Sequence, residues 1–133
     1  MMHDLFSADG LAAWRLRLDA SPAFRDAARD WSGTLVLRER GGGPVVRRTW
    51  IELDDGRLGA LRAADDHDEA SAEFVLEGSP ETWRGLVLGS RDLAAAALAG
   101  DVALQRGSIW KLIPHVKAAS SLLAAARADD GHS

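Results

Sequence analysis

The sequence contains no cysteine and no tyrosine. Without cysteine there are no disulfide staples, no thiolate catalysis, no zinc–thiolate sites and no iron–sulfur clusters. Without tyrosine, one common member of the acid–base pairs in small pocketed enzymes is missing. No window approaches 18 consecutive apolar residues, so no integral membrane segment is expected. The opening MMHDLFSADG lacks the basic-then-apolar pattern of a secretory signal, and the closing ADDGHS is not a peroxisomal Ser-Lys-Leu ending. The expected compartment is the cytoplasm. Gly-x-Ser-x-Gly does not occur. Gly41-Gly42-Gly43 precedes a strand pattern rather than a helix, so it is not a phosphate loop. Four scattered histidines do not make a metal site, and neither metal nor cofactor is expected.

What is present is ordinary globular material. Of 133 residues, 47% are apolar and 27% charged, and the net charge is −4. That length gives one expected domain, residues 1–133, with an ordered core over about 5–127 and a frayed tail at 128–133. A chain of this size buries roughly 70% of its unfolded surface, enough for a core and a modest cavity. The mild acidity and scattered arginines argue against nucleic acid as a partner.

Along the chain, 4–20 reads as an amphipathic helix with Leu11, Trp14 and Leu18 on one face. Ser21-Pro22 opens a second short helix. Three strands follow, at 34–40, 45–54 and 58–63, separated by the Gly41–Pro44 turn and the Asp55-Gly56 hairpin signal. They read as an antiparallel meander with one buried face. A fourth strand spans 72–77. Ser79-Pro80-Glu81 then starts a helix that Gly89 stops, and Asp92 caps an alanine-rich helix stopped by Gly100. A fifth strand covers 102–105. Ser108 launches a last helix through Arg127, with Ile109, Leu112, Ile113, Val116, Ala119 and Leu123 at helical spacing. Pro114 lies inside it and predicts a kink or break between Ile113 and His115.

Few residues invite chemistry. Asp65-Asp66-His67-Asp68-Glu69 lacks the alternating ligands and turn glycine of a calcium loop, and reads as a solvated connection. His115 is the one histidine inside a regular element, and no acid lies three or four residues away, so it reads as a helix-surface or groove-rim residue. Five tryptophans are many for this length. Trp14 and Trp31 read as core. Trp50 falls on the polar side of its strand, under a helix or exposed as an anchor. Trp83 and Trp110 lie on helices positioned to close a cavity, although aromatics at helical spacing are more often core.

Several of these segments resemble one family. Asp30-Trp31-Ser32-Gly33-Thr34-Leu35, the meander, Phe74-Val75-Leu76-Glu77-Gly78-Ser79-Pro80-Glu81-Thr82-Trp83, Gly89, Asp92, Ala97-Leu98-Ala99-Gly100 and Gly100–Ser108 are similar to the sterol carrier protein 2 (SCP-2) domain, over nearly the whole chain from Leu11 to Arg127. The chain is identified as a bacterial-type, stand-alone member. Asp101 stands where the family more often has a basic residue. The resemblance implies an α+β fold: a twisted, mainly antiparallel five-stranded sheet with helices packed on one face and an apolar tunnel between. It implies a non-enzymatic carrier of a fatty acid, fatty acyl-CoA, sterol or similar lipid. Phe74, Leu76, Trp83, Leu86, Val87, Leu98, Leu104, Trp110, Ile113, Val116 and Leu123 are the expected tunnel lining, and the helix from Ile109 is the expected lid.

Two alternatives stand beside this reading. One is a small cone-shaped α+β enzyme similar to ketosteroid isomerases or cyclases, with His115 as its only candidate base. The other is an SCP-2-like interaction module with a closed tunnel, docking a partner or a second copy as a homodimer through Trp50 or the last helix.

Overall fold

The computed structural model describes residues 4–41 and 46–127. The Gly42–Pro44 part of the expected turn, the strand start at Val45 and the tail at 128–133 lie outside the described residues.

Helix α1 (Ala8–Asp19) begins later than the apolar pattern suggests, because polar side chains upstream take the backbone donors. The Asp4 carboxylate accepts from the Phe6 N–H (2.9 Å), and Ser7 Oγ caps the helix by accepting from the Gly10 N–H (3.0 Å). Leu11, Trp14 and Leu18 turn inward. Helix α2 (Pro22–Ala27) starts as expected, with Ser21 as cap and proline at its first turn.

Strands β1 (Gly33–Glu39), β2 (Arg48–Asp54) and β3 (Arg57–Ala63) form the antiparallel meander. At the hairpin, Asp55 and Gly56 both have positive φ (51° and 79°), which suits a tight turn between twisted strands. Strand β4 (Phe74–Gly78) pairs parallel to β1, and β5 (Val102–Arg106) pairs antiparallel to β4. The order across the sheet is β3-β2-β1-β4-β5. The chain must therefore cross β2 and β1 between β3 and β4.

That crossing is where the structure corrects the sequence reading. Residues 65–69 are not a solvated loop. They start helix α3 (Asp66–Ser71) with a reciprocal capping box: the Asp65 carboxylate accepts from the Asp68 N–H (2.8 Å), and the Asp68 carboxylate accepts from the Asp65 N–H (3.0 Å). Acidic residues in the first turn also suit the positive end of the helix dipole.

The sheet separates two unlike layers, because side chains alternate along each strand. Leu35, Leu37, Ile51, Leu53, Phe74 and Leu76 face the main core. Helices α1, α2, α4 (Pro80–Leu88), α5 (Leu93–Ala99), α6 (Ile109–Leu112) and α7 (Val116–Ala124) pack over that face. Trp83 is buried there and its indole N–H donates to the Arg38 carbonyl (3.0 Å). The Trp14 indole donates to the Leu122 carbonyl (2.9 Å), tying α1 to α7. Each such ring removes 150–250 Å² from water, worth roughly 4–6 kcal/mol as an upper figure. On the opposite face, Val36, Trp50, Ala72 and Val75 form a small second cluster beside α3. Trp50 is thus buried rather than an exposed anchor, with the Arg62 guanidinium 5.3 Å from its ring centre.

Pro114 breaks the last helix as its missing N–H requires. Residues Ile113–His115 form one 3₁₀ turn between α6 and α7. Before α6, Gly107 has φ +98°, and a Cβ there would lie 2.6 Å from the Phe74 ring and 2.8 Å from the Glu73 carbonyl. Only glycine fits that approach of the turn to β4.

Candidate functional site

The alanine-rich sequence of α5 leaves a low surface, and the broken last helix lies across from it. Between them is a groove of about 400 Å³. Leu93, Ala94, Ala97 and Leu98 of α5 form one wall, and Ile109, Leu112, Ile113 and Val116 form the other. Every lining residue is aliphatic. Leu93 and Leu112 are buried at its base. Leu98 and Ile113 are 84% and 50% exposed at its rim, an unusual position for side chains of their size. The 3₁₀ turn at Pro114 lets Ile113 and Val116 share this wall although they lie on either side of the break.

The expected lining residues divide into groups. Leu98, Ile113 and Val116 meet in the groove. Phe74, Leu76, Trp83, Leu86, Val87 and Leu123 lie in the close-packed core between sheet and helices. Leu104 packs half-buried against that core. Trp110 is 78% exposed on α6, so it does not close a cavity in this state. Leu93, Ala94, Ala97, Ile109 and Leu112 complete the groove, and the sequence reading leaves them out of the lining. Their signal was available: an alanine-rich helix beside a helix with apolar residues at four-residue spacing marks a shallow apolar contact.

His115 is half-buried and stacks on Trp31, with ring centres 4.7 Å apart and planes 4° apart. No described residue hydrogen-bonds its imidazole. Among the described residues, no group of His, Asp and Glu is placed to hold a metal, and no helix is long and apolar enough to cross a membrane.

Charge is gathered instead on the α3 side of the sheet. Arg38 and Arg48 are cross-strand partners on β1 and β2, and like charges facing each other need a counter-ion between them. Glu69 of α3 supplies it: its carboxylate accepts from Nη1 of Arg38 (2.8 and 2.9 Å) and from Nη1 of Arg48 (3.1 Å). Asp66 adds a bond to the same Arg48 nitrogen (2.7 Å). These hydrogen bonds, Asp66 first, raise the Arg48 pKa. Arg62 grips Asp68 with two bonds (2.6 and 3.0 Å). Together with the Asp65 N–H, that grip holds the Asp68 carboxyl well below the usual aspartate range.

No family model and no curated protein matches the chain. Solved structures do. The crystal structure of a sterol carrier protein 2 is 31% identical, covering 93% of this chain and 98% of that one, with a TM-score of 0.82. The solution structure of a Thermus thermophilus protein, described as possibly a sterol carrier protein, is 31% identical over 94% of this chain and 89% of that one, with a TM-score of 0.79. Sterol carrier protein 2 from Aedes aegypti, in complex with palmitate, is 18% identical over 90% and 94% of the two chains, with a TM-score of 0.57, and shares the fold. With nearly a third of its residues identical across almost the full length of a solved member, the chain belongs to the sterol carrier protein 2 family.

Proposed function

We propose that the protein is a non-enzymatic carrier that binds an acyl chain or similar apolar ligand in the groove between α5 and the α6–α7 helices. The observation that carries this reading is the groove itself: about 400 Å³, within the usual size range of small-molecule sites, walled by aliphatic side chains, with two large ones exposed at its rim. Such exposure is costly unless something covers it. Solved relatives support an acyl chain as that cover: the Aedes aegypti protein was determined with palmitate, and a second protein from the same organism as its palmitated form. His115, the one candidate base, has a ring partner but no acid partner among the described residues, which favours carriage over the enzyme alternative.

Native mass spectrometry and calorimetry with palmitate, palmitoyl-CoA and cholesterol test the proposal. A 1:1 complex with at least one of them is expected, weakened strongly by Ala97→Trp, which fills the groove from a half-buried position. An apo mass with all three ligands, or binding indifferent to that substitution, contradicts it.

A further inference from the structure

A cavity larger than the groove lies on the other side of the sheet, facing α3. It measures about 680 Å³, and Arg38, Arg48, Arg106, Asp66, Glu69 and Gln105 supply its polar lining. Its arginines outnumber its carboxylates, on a chain of net charge −4. Glu77 also approaches Arg38 Nε (2.9 Å), but it is shared with Arg40 (3.8 Å).

The guanidinium bonds are unevenly used. Asp66 and Glu69 both bind Arg48 through Nη1 alone. The edge formed by Arg48 Nε and Nη2 has no acceptor among the described residues, and Nε is buried. A buried donor without an acceptor costs about 1–3 kcal/mol, more when charged. The preceding residue makes the contrast plain. Arg47 uses the same Nε–Nη2 edge to hold both oxygens of Glu39 (2.9 and 2.8 Å). That edge is the one that matches a planar or tetrahedral oxyanion with two parallel bonds. Arg106, on β5, also lines the cavity, and its guanidinium has no hydrogen-bond or ion-pair partner among the described residues.

We propose that this cleft is a second binding site, which takes a phosphate group through Nη2 of Arg48 and the guanidinium of Arg106. Two cations arriving from different strands suit an acceptor with three terminal oxygens better than one with two. Glu69 and Asp66 hold Arg48 in place without using Nη2. The site lies across the sheet from the apolar groove, so it stands or falls independently of lipid carriage.

The test is a titration of the full chain with inorganic pyrophosphate, following the arginine side-chain N–H signals by NMR. The expected result is saturable shifts at Arg48 and Arg106, about tenfold weaker binding in Arg48→Gln, as loss of a charge-assisted contact requires, and weaker binding in Arg106→Gln. Arg106 is exposed and unpartnered, so that variant keeps the wild-type melting temperature and reads binding alone. Arg57→Gln, away from the cavity, serves as the unaffected control. Competition from phosphatidic-acid vesicles assigns the phosphate to a lipid headgroup, and its absence to a soluble phosphate; either upholds the site. Shifts that rise without saturation, acetate binding as tightly as pyrophosphate, or equal loss in Arg57→Gln overturn it.

Discussion

Arg47 and Arg48 are neighbours in sequence and sit on opposite faces of the sheet. Toward the helices, Arg47 is fully engaged: Glu39 takes its bidentate edge, Asp4 takes Nη1 (2.8 Å), and its pKa is raised, chiefly by the Glu39 bond. Toward α3, Arg48 binds by one nitrogen and keeps an edge free. The two faces differ in the same way as wholes. One is an apolar layer with an aliphatic groove at its margin. The other is a thin apolar cluster under a network of ions, whose unfilled space is lined by charge. The fold thus carries two cavities of opposite lining, separated by a single sheet.

The contrast is broken most severely from the apolar side. Trp83→Ala should cost about 3–5 kcal/mol, because it empties a buried core site and removes the indole bond to the Arg38 carbonyl; chemical denaturation measures it. Trp50→Ala, in the smaller cluster, should fall at the low end, about 3 kcal/mol. A loss at Trp50 that exceeds the loss at Trp83 would reverse the assignment of the main core.

Acid should act through the ionic face. The folded pKa of Asp68 is depressed by Arg62, so its contribution is present above the unfolded value near pH 4 and is lost as pH falls below it toward the folded value. Melting temperatures followed from pH 6 downward should drop steeply below about pH 4, and Arg62→Gln should flatten that drop. Wild-type and variant profiles that run parallel would remove Asp68 as the acid-sensitive group.

The smallest effect on folding belongs to the groove rim. Leu98→Ala should change stability by less than about 0.5 kcal/mol, since the side chain is exposed. The same substitution should weaken palmitate binding about fivefold, the value of roughly 1 kcal/mol of lost aliphatic contact. A stability loss with unchanged binding would make Leu98 a packing residue.

Much of the architecture was legible because local signals agreed with one another. Alternation gave the strands, Ser21, Ser79, Asp92 and Ser108 gave four helix starts, and Pro114 gave the break. Helix α3 was harder to see because a run of Asp, His and Glu looks like solvated polar chain. Its one local signal was the acid pair at 65 and 68 with capping-box spacing. The parallel pairing of β1 with β4, and with it the charge-lined face, could not be read locally: periodicity says which way a side chain points but not which strand lies alongside. The same limit explains the groove. Helical spacing grouped Ile113 and Val116, which share one groove wall, but it could not separate Phe74 and Leu76, sealed under helices, from Leu98 and Trp110, left in water.

The central claim is that the apolar ligand lies between α5 and α6–α7. NMR contacts between ¹³C-labelled palmitate and the protein methyl groups test it most directly. The account predicts contacts from the acyl chain to Leu98, Ile113 and Val116, lost in Ala97→Trp. Contacts to Val36 and Val75 on the opposite face, or a chain bound with no contact to α5, would contradict it.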